Sequence, residues 1–195
     1  MRVHVVFAHP VVDSFGASLC DTVVHALEGA GHQVDLADLY ALEFDPVLSR
    51  DGLARHRDGP ETKPEIAQQA ASLRAAEALV FVYPTWWGSQ PAMLKGWFDR
   101  VLVEGVAYTL PQGAKRIQPL LRDVRRLAVV TTHGSSKWIN TLQGEPGKRV
   151  ILRGLRSLCH PLARSRWISM YGMDNATDVD RQAFLRRVQR RIANL

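Results

Sequence analysis

Cysteine is nearly absent: Cys20 and Cys159 are the only two in a chain of 195 residues. They lie far apart, with no CxxC and no Cys/His metal spacing, which excludes a disulfide scaffold or zinc fold. Both are expected to be reduced, partly buried thiols of a cytoplasmic protein, and no metal site is expected. Long apolar runs are also missing, and none approaches the roughly 18 residues of a membrane span. Met1-Arg2 precedes an apolar segment too short for a signal-peptide core and better read as a first strand. The chain has no GxGxxG and no Walker lysine, so neither a Rossmann dinucleotide fingerprint nor a P-loop NTPase is supported. No internal repeat, low-complexity tract or linker divides it.

What is present is ordinary for one globular unit: 46% hydrophobic and 23% charged residues, enough for a single well-buried domain over residues 1–195. The formal charge is +6, and a positive surface attracts nucleic acid, headgroups or small anions. Its densest cluster is Arg181, Arg186, Arg187, Arg190 and Arg191, opposite an apolar stripe of Phe184, Val188 and Ile192. That pattern reads as the solvated face of a terminal helix rather than a binding stripe. No helix-turn-helix, zinc-finger or RNP-type signature supports nucleic-acid recognition.

Short apolar runs alternate with helical patterns. Strands are predicted at Val3–Ala8, Gln33–Ala37, Ala78–Val82, Leu127–Val130 and Trp167–Met170. Helical spacing follows in Leu19, Val23, Ala26, Leu27 and Ala30, in Glu65–Ala76, in the stripe Leu94, Trp97, Phe98 and Val101, over about Lys148–Leu158, and in a terminal helix starting near Thr177-Asp178. Asp45–Pro64 is expected to be mostly irregular. Strand–helix alternation with apolar strands argues for a parallel sheet covered on both faces. The expected fold is α/β: a flavodoxin-like, doubly wound five-stranded sheet of order 2-1-3-4-5, whose ligand binds beyond the carboxyl ends of the strands.

Three loops leave that rim. Tyr83–Val101, YPTWWGSQPAMLKGWFDRV, opens with tryptophans, glycine and serine between prolines, a composition suited to a flat aromatic ligand. Trp86 and Trp87 would form one wall, with the Thr85–Trp87 amides at polar ring edges; packing in the core or at an interface is the competing reading. His9–Ser18 enters a helix, where unpaired amides favour an anion and Ser14 and Ser18 add hydroxyls. A serine cap on an ordinary helix accounts for that loop equally well. His9 is either a phosphate donor or a loop histidine satisfied by backbone. Thr131–Ser136 brings hydroxyls and the Gly134 backbone to the same ligand's other edge.

Taken together, the segments AHP and SF within Ala8–Phe15, DLYALEFDPVLSR (Asp38–Arg50), Tyr83–Arg100, GVAYTL (Gly105–Leu110) and TTHGS (Thr131–Ser135) resemble the NAD(P)H:quinone oxidoreductases of the DT-diaphorase family. The resemblance implies a homodimer with the site at the interface, FAD (alternatively FMN) as cofactor, NADH or NADPH as hydride source, and a quinone-like acceptor in a ping-pong cycle. It carries phosphate contacts to His9, Ser14, Phe15, Gly16 and Ser18, and ring contacts to Pro84, Thr85, Trp86, Trp87, Thr131, Thr132 and Gly134. Trp87 and Tyr108 are the implied substrate contacts, Tyr108 approaching the partner subunit's pocket. A glycine pair of the family becomes His133-Gly134, and the Tyr and His that stabilise charge on the flavin in vertebrate-type members have no counterpart in Ser135–Gly147. His133 is the candidate for that catalytic role; a surface histidine in place of a glycine is the alternative. An FMN-dependent azo- or nitro-reductase, and a flavin-binding regulatory subunit with a membrane potassium-efflux partner, remain open within the same fold.

Overall fold

The computed structural model describes residues 1–54, 56 and 63–195. In chain order the elements are β1 (Arg2–Phe7), α1 (Phe15–Gly29), β2 (Gln33–Asp38), α2 (Arg50–Ala54), α3 (Pro64–Ala75), β3 (Ala78–Pro84) and α4 (Ala92–Val101). They continue as β4 (Tyr108–Thr109), β5 (Gln118–Pro119), β6 (Arg126–His133), α5 (Lys137–Leu142), α6 (Pro146–Arg149), β7 (Arg164–Tyr171) and α7 (Asp178–Ala193). Five strands form one parallel sheet in the order β2-β1-β3-β6-β7, the predicted 2-1-3-4-5 arrangement.

The central strands β1, β3 and β6 are mostly apolar because both sheet faces are covered there, while the edge strands β2 and β7 carry polar residues. Val6, Leu79, Phe81, Leu127 and Val129 face a layer that includes Ile66, Leu73, Leu94 and Trp97. Val5, Val80, Val82, Ala128 and Val130 face Leu19, Val23, Phe184 and Val188 of α1 and α7. Alternation along each strand therefore separates two cores, each built from residues removed from water. The α4 stripe Leu94, Trp97, Phe98 and Val101 is buried as its spacing predicts, and α7 buries Phe184, Val188 and Ile192 while its arginines face outward. Thr177 caps α7 in a reciprocal box with Asp180.

Three boundaries differ from the sequence reading. β6 and β7 run past their apolar middles, since Arg126 pairs with Arg164 and His133 with Tyr171; ladder pairing extends a strand beyond the residues whose burial announces it. The stretch after Lys148 is not one α-helix: α6 gives way to a π-helical turn at Val150–Gly154 and a 3-10 turn at Leu155–Leu158. Buried Ile151, Leu155 and Leu158 specify the face, not the hydrogen-bond period. Within Asp45–Pro64, α2 forms where the Ser49 hydroxyl accepts from Gly52 N–H at 3.0 Å. Residues 55 and 57–62 of that segment lie outside the described residues.

Candidate active site at the carboxyl rim

The strand register places three loop origins at one edge: Phe7 is level with Val82, and Pro84 with Thr132. At the first loop, Ser14 caps α1 by accepting from Ala17 N–H at 3.1 Å. The Phe15 and Gly16 amides of the first turn have no intrahelical acceptor, and with the helix dipole they favour an anion. His9 Nδ1 lies 3.0 Å from Val11 N–H and 3.2 Å from Val11 O; the tautomer in which Nδ1 accepts from Val11 N–H carries its proton on Nε2 as a donor. A Cβ on Gly16 would lie 2.9 Å from His9 Cδ2, so only glycine admits the imidazole against the helix start. Phe15 turns inward, 6.4 Å from the Phe184 ring. Ser18 is exposed, its hydroxyl 3.5 Å from Ser14 O.

The second loop is a tight reversal. Trp86 N–H donates to Ser89 O at 3.1 Å and Ser89 N–H to Trp86 O at 3.0 Å. Between them Trp87 (φ 50°) and Gly88 (φ 73°) both take left-handed backbone, the conformation of a type I′ turn, which favours Asn-Gly. A tryptophan at the first of these positions is strained by about 1–2 kcal/mol, and its side chain is fully exposed. Thr85 N–H donates to Thr132 O at 2.8 Å, and the Thr85 and Thr131 hydroxyls meet at 2.9 Å. These bonds fasten the second loop to the third.

Pro84, Thr85, Trp86, Trp87, Thr132 and Gly134 line one open cavity of about 530 Å³. Its remaining walls are Met173 and Asp174, which the sequence reading missed. The available signal was the fifth strand, whose carboxyl end reaches the same rim at Tyr171. A Cβ on Gly134 would lie 2.6 Å from Asp174 Oδ2, so the Asp174 carboxylate lies close over this part of the floor.

Thr131 is buried on the opposite strand face, where it bonds Thr85 instead of lining the cavity. His133 shares that face. It is buried, stacks on Tyr171, and bonds Asn140 Oδ1 through Nδ1 at 2.8 Å. Asn140 Nδ2 donates to Ser135 O, Ser135 Oγ and Ser136 O, which turns its oxygen toward His133 and makes Nδ1 the protonated nitrogen. His133 Nε2 is buried without a partner. Burial lowers the His133 pKa below 6.5, against the opposing pull of Asn140 and Glu145. The ring is therefore a neutral support under the third loop.

Tyr171 O–H donates to Glu145 at 2.6 Å, and Lys148 Nζ donates to the same carboxylate at 2.8 Å. Glu145 stays below the usual carboxylate range because these two bonds outweigh burial, which opposes them. Tyr108 stands apart from the cavity. It follows the far end of α4, where Arg74 Nη2 donates to Gly105 O at 2.8 Å, toward the amino ends of the strands. Among the described residues no cluster of three or more His, Cys, Asp or Glu is arranged to hold a metal, and no helix is long and apolar enough to cross a membrane. Cys20 and Cys159 are free and buried.

Residues 1–192 match the family model described as flavodoxin-like fold. The chain is 32% identical over 173 residues to NAD(P)H dehydrogenase [quinone] 1 of Rattus norvegicus, covering 80% of this chain and 62% of that protein. It thus spans about three fifths of the curated relatives it matches first. Among solved structures it superposes on Smu.1420 of Streptococcus mutans with a TM-score of 0.86 at 26% identity, covering 100% of both chains. It superposes on the NAD(P)H:quinone oxidoreductase of Methanothermobacter marburgensis with a TM-score of 0.84 at 28% identity, covering 100% of this chain and 96% of that one. With the sheet order, the rim cavity and the match over nearly its whole length in agreement, the chain belongs to the flavodoxin-like family.

Proposed function

We propose that this protein is a flavin-dependent NAD(P)H oxidoreductase acting on quinones or similar acceptors, with FAD as its flavin and FMN as the alternative. The observation that carries the reading is the cavity framed by Trp86, Trp87, Thr85, Thr132 and Gly134, open to solvent beside an anion-ready helix start. Likeness to the rat and Methanothermobacter quinone reductases supports the chemistry.

The residues present suit a flat ring with a phosphate tail. Trp86 and Trp87 offer aromatic surface on one side of the cavity, and Gly134 keeps its floor low. His9 Nε2–H, the first-turn amides of α1 and the exposed hydroxyl of Ser18 suit the phosphate. A bound flavin supplies the chemistry, accepting a hydride from the nicotinamide and delivering it to the acceptor. What the chain contributes is stacking and orientation, the main requirement of hydride transfer between bound groups. His133, neutral and turned away from the cavity, acts as a positioning residue for Thr132–Gly134. Tyr108 serves the partner's cavity in a homodimer, which accounts for its distance from its own. Two buried free cysteines accord with a reducing, cytoplasmic setting.

Purification tests this directly. The protein should be yellow, bleach under NADH or NADPH without oxygen, and recolour on addition of a quinone. Chromatography of the released flavin decides FAD against FMN. Failure of both nicotinamides to bleach a flavin-loaded sample overturns the reading.

A further inference from the structure

A second cavity, of about 330 Å³, is lined by Thr141, Glu145, Lys148, Arg149 and Arg153 among others. Its segment is tied to the ring loop through the backbone: Gly147 N–H donates to Gly88 O at 3.4 Å, and Gln90 Nε2 to Gly147 O at 2.8 Å. The Trp87-Gly88 turn that walls the first cavity therefore rests on Pro146-Gly147, and Lys148 and Arg149 follow at once. On the other side, Glu145 is bonded to Tyr171, two residues before the cavity-lining Met173.

The charge in this second cavity is unbalanced. Glu145, its one carboxylate, is occupied by Lys148 and Tyr171. Arg149 and Arg153 have no ion-pair partner among the described residues. They are exposed and stand four residues apart, and like charges at that spacing repel. The backbone here is also irregular. Glu145 is left-handed at φ 44°, and Val150–Gly154 is a π-helical turn, a form found disproportionately at functional sites. Two guanidiniums without an ion-pair partner that line one cavity offer the charge and the forked donors that suit a doubly charged oxyanion.

We infer that Arg149 and Arg153 bind the 2′-phosphate of NADPH and make the protein prefer NADPH to NADH, an inference that rests on the reductase reading. With the nicotinamide in the ring cavity, the adenosine end of the dinucleotide extends over the Trp87-Gly88 turn into the basic cavity. The 2′-phosphate is the one group by which NADPH differs from NADH, and it carries close to two negative charges at neutral pH. Lys148 is committed to Glu145, so discrimination falls to the two arginines.

Flavin-loaded wild type should show a kcat/KM for NADPH roughly tenfold or more above that for NADH, and R149Q/R153Q should bring that ratio to about one. In calorimetry on the loaded protein, 2′,5′-ADP should bind about tenfold more tightly than ADP, and the double variant should lose the difference. Equal use of the two nicotinamides by wild type, an undiminished ratio in the variant, or inorganic phosphate binding as tightly as 2′,5′-ADP would overturn the inference. If NADH bleaches the flavin and NADPH does no better, only this inference falls. If neither bleaches it, the reductase reading falls, while calorimetry with 2′,5′-ADP still decides whether the arginines form a phosphomonoester site.

Discussion

The His133 imidazole lies face to face with the Tyr171 phenol, ring centroids 4.5 Å apart and planes 19° from parallel. The stack joins the last residue of β6, which lies between Thr132 and Gly134 in sequence, to the last of β7, two residues before Met173. Two walls of the candidate site thus share one foundation.

That foundation is sensitive to acid. The folded-state pKa of His133 is depressed by burial below 6.5, so the unfolded chain binds the proton first. The contribution is neutral above the unfolded value, and stability declines as pH falls through the window beneath it. Melting midpoints followed from about pH 8 to about pH 5 should fall more steeply in wild type than in His133→Gln. Equal slopes would remove His133 from the acid response. Tyr171→Phe deletes the donor to Glu145 and should cost about 1 kcal/mol at neutral pH, read from denaturant midpoints.

Trp87 combines strain with exposure, so fold and function should pull apart there. Trp87→Asn places a preferred residue at the first position of the turn and should raise stability by about 0.5–1 kcal/mol while lowering flavin retention. Trp97, fully buried with Nε1 donating to Gln69 at 3.0 Å, should behave oppositely. Trp97→Ala is expected to cost about 3–5 kcal/mol through the cavity it leaves. A well-folded Trp87→Asn with undiminished flavin would count against the ring-loop assignment.

Gly134→Ala probes the cavity floor. The added Cβ meets the end of the exposed Asp174 side chain, which can swing aside, so the melting temperature should move little. The displaced carboxylate and the new methyl narrow the cavity, so flavin content at purification should drop severalfold. Retention of a full complement of flavin would show that the ring does not sit on Gly134.

A different acid response is expected at the far end of the sheet. Asp35 is held at about 2, chiefly by its hydrogen bond to His4, with burial opposing and Ser72 assisting. His4 Nδ1 lies 3.2 Å from Asp35 Oδ2 and its side chain is almost fully buried. A depressed carboxylate stabilises the fold above its unfolded value of 3.8 and loses that contribution as pH falls toward about 2. Asp35→Asn should be less stable than wild type at neutral pH and show a shallower loss across that window in circular-dichroism melts. Parallel curves would exclude Asp35 from acid unfolding.

The sheet order and the two cores were legible because Val3–Phe7 (apart from His4), Ala78–Val82 and Leu127–Val130 are apolar on both faces, and a doubly covered parallel sheet satisfies such strands. The rim loops were legible because glycine, serine and exposed aromatics mark turns that a core rejects. The π-helical turn was hidden, since Ile151, Leu155 and Leu158 present the same spacing to more than one helix period. The two-residue strands β4 and β5 were hidden as well, being too short to show any period.

Residue chemistry and spacing along the chain determined which segments would meet at the rim, because burial of alternate residues is a local, periodic demand. Which side of its strand each rim residue serves was decided only by the folded chain. Thr132 and Gly134 line the cavity while Thr131 and His133 turn beneath it, and Met173 and Asp174 arrive from the far edge strand. Those outcomes depend on register and on contacts between residues remote in sequence, such as His133 with Tyr171 and Glu145 with Tyr171, and no local pattern encodes them.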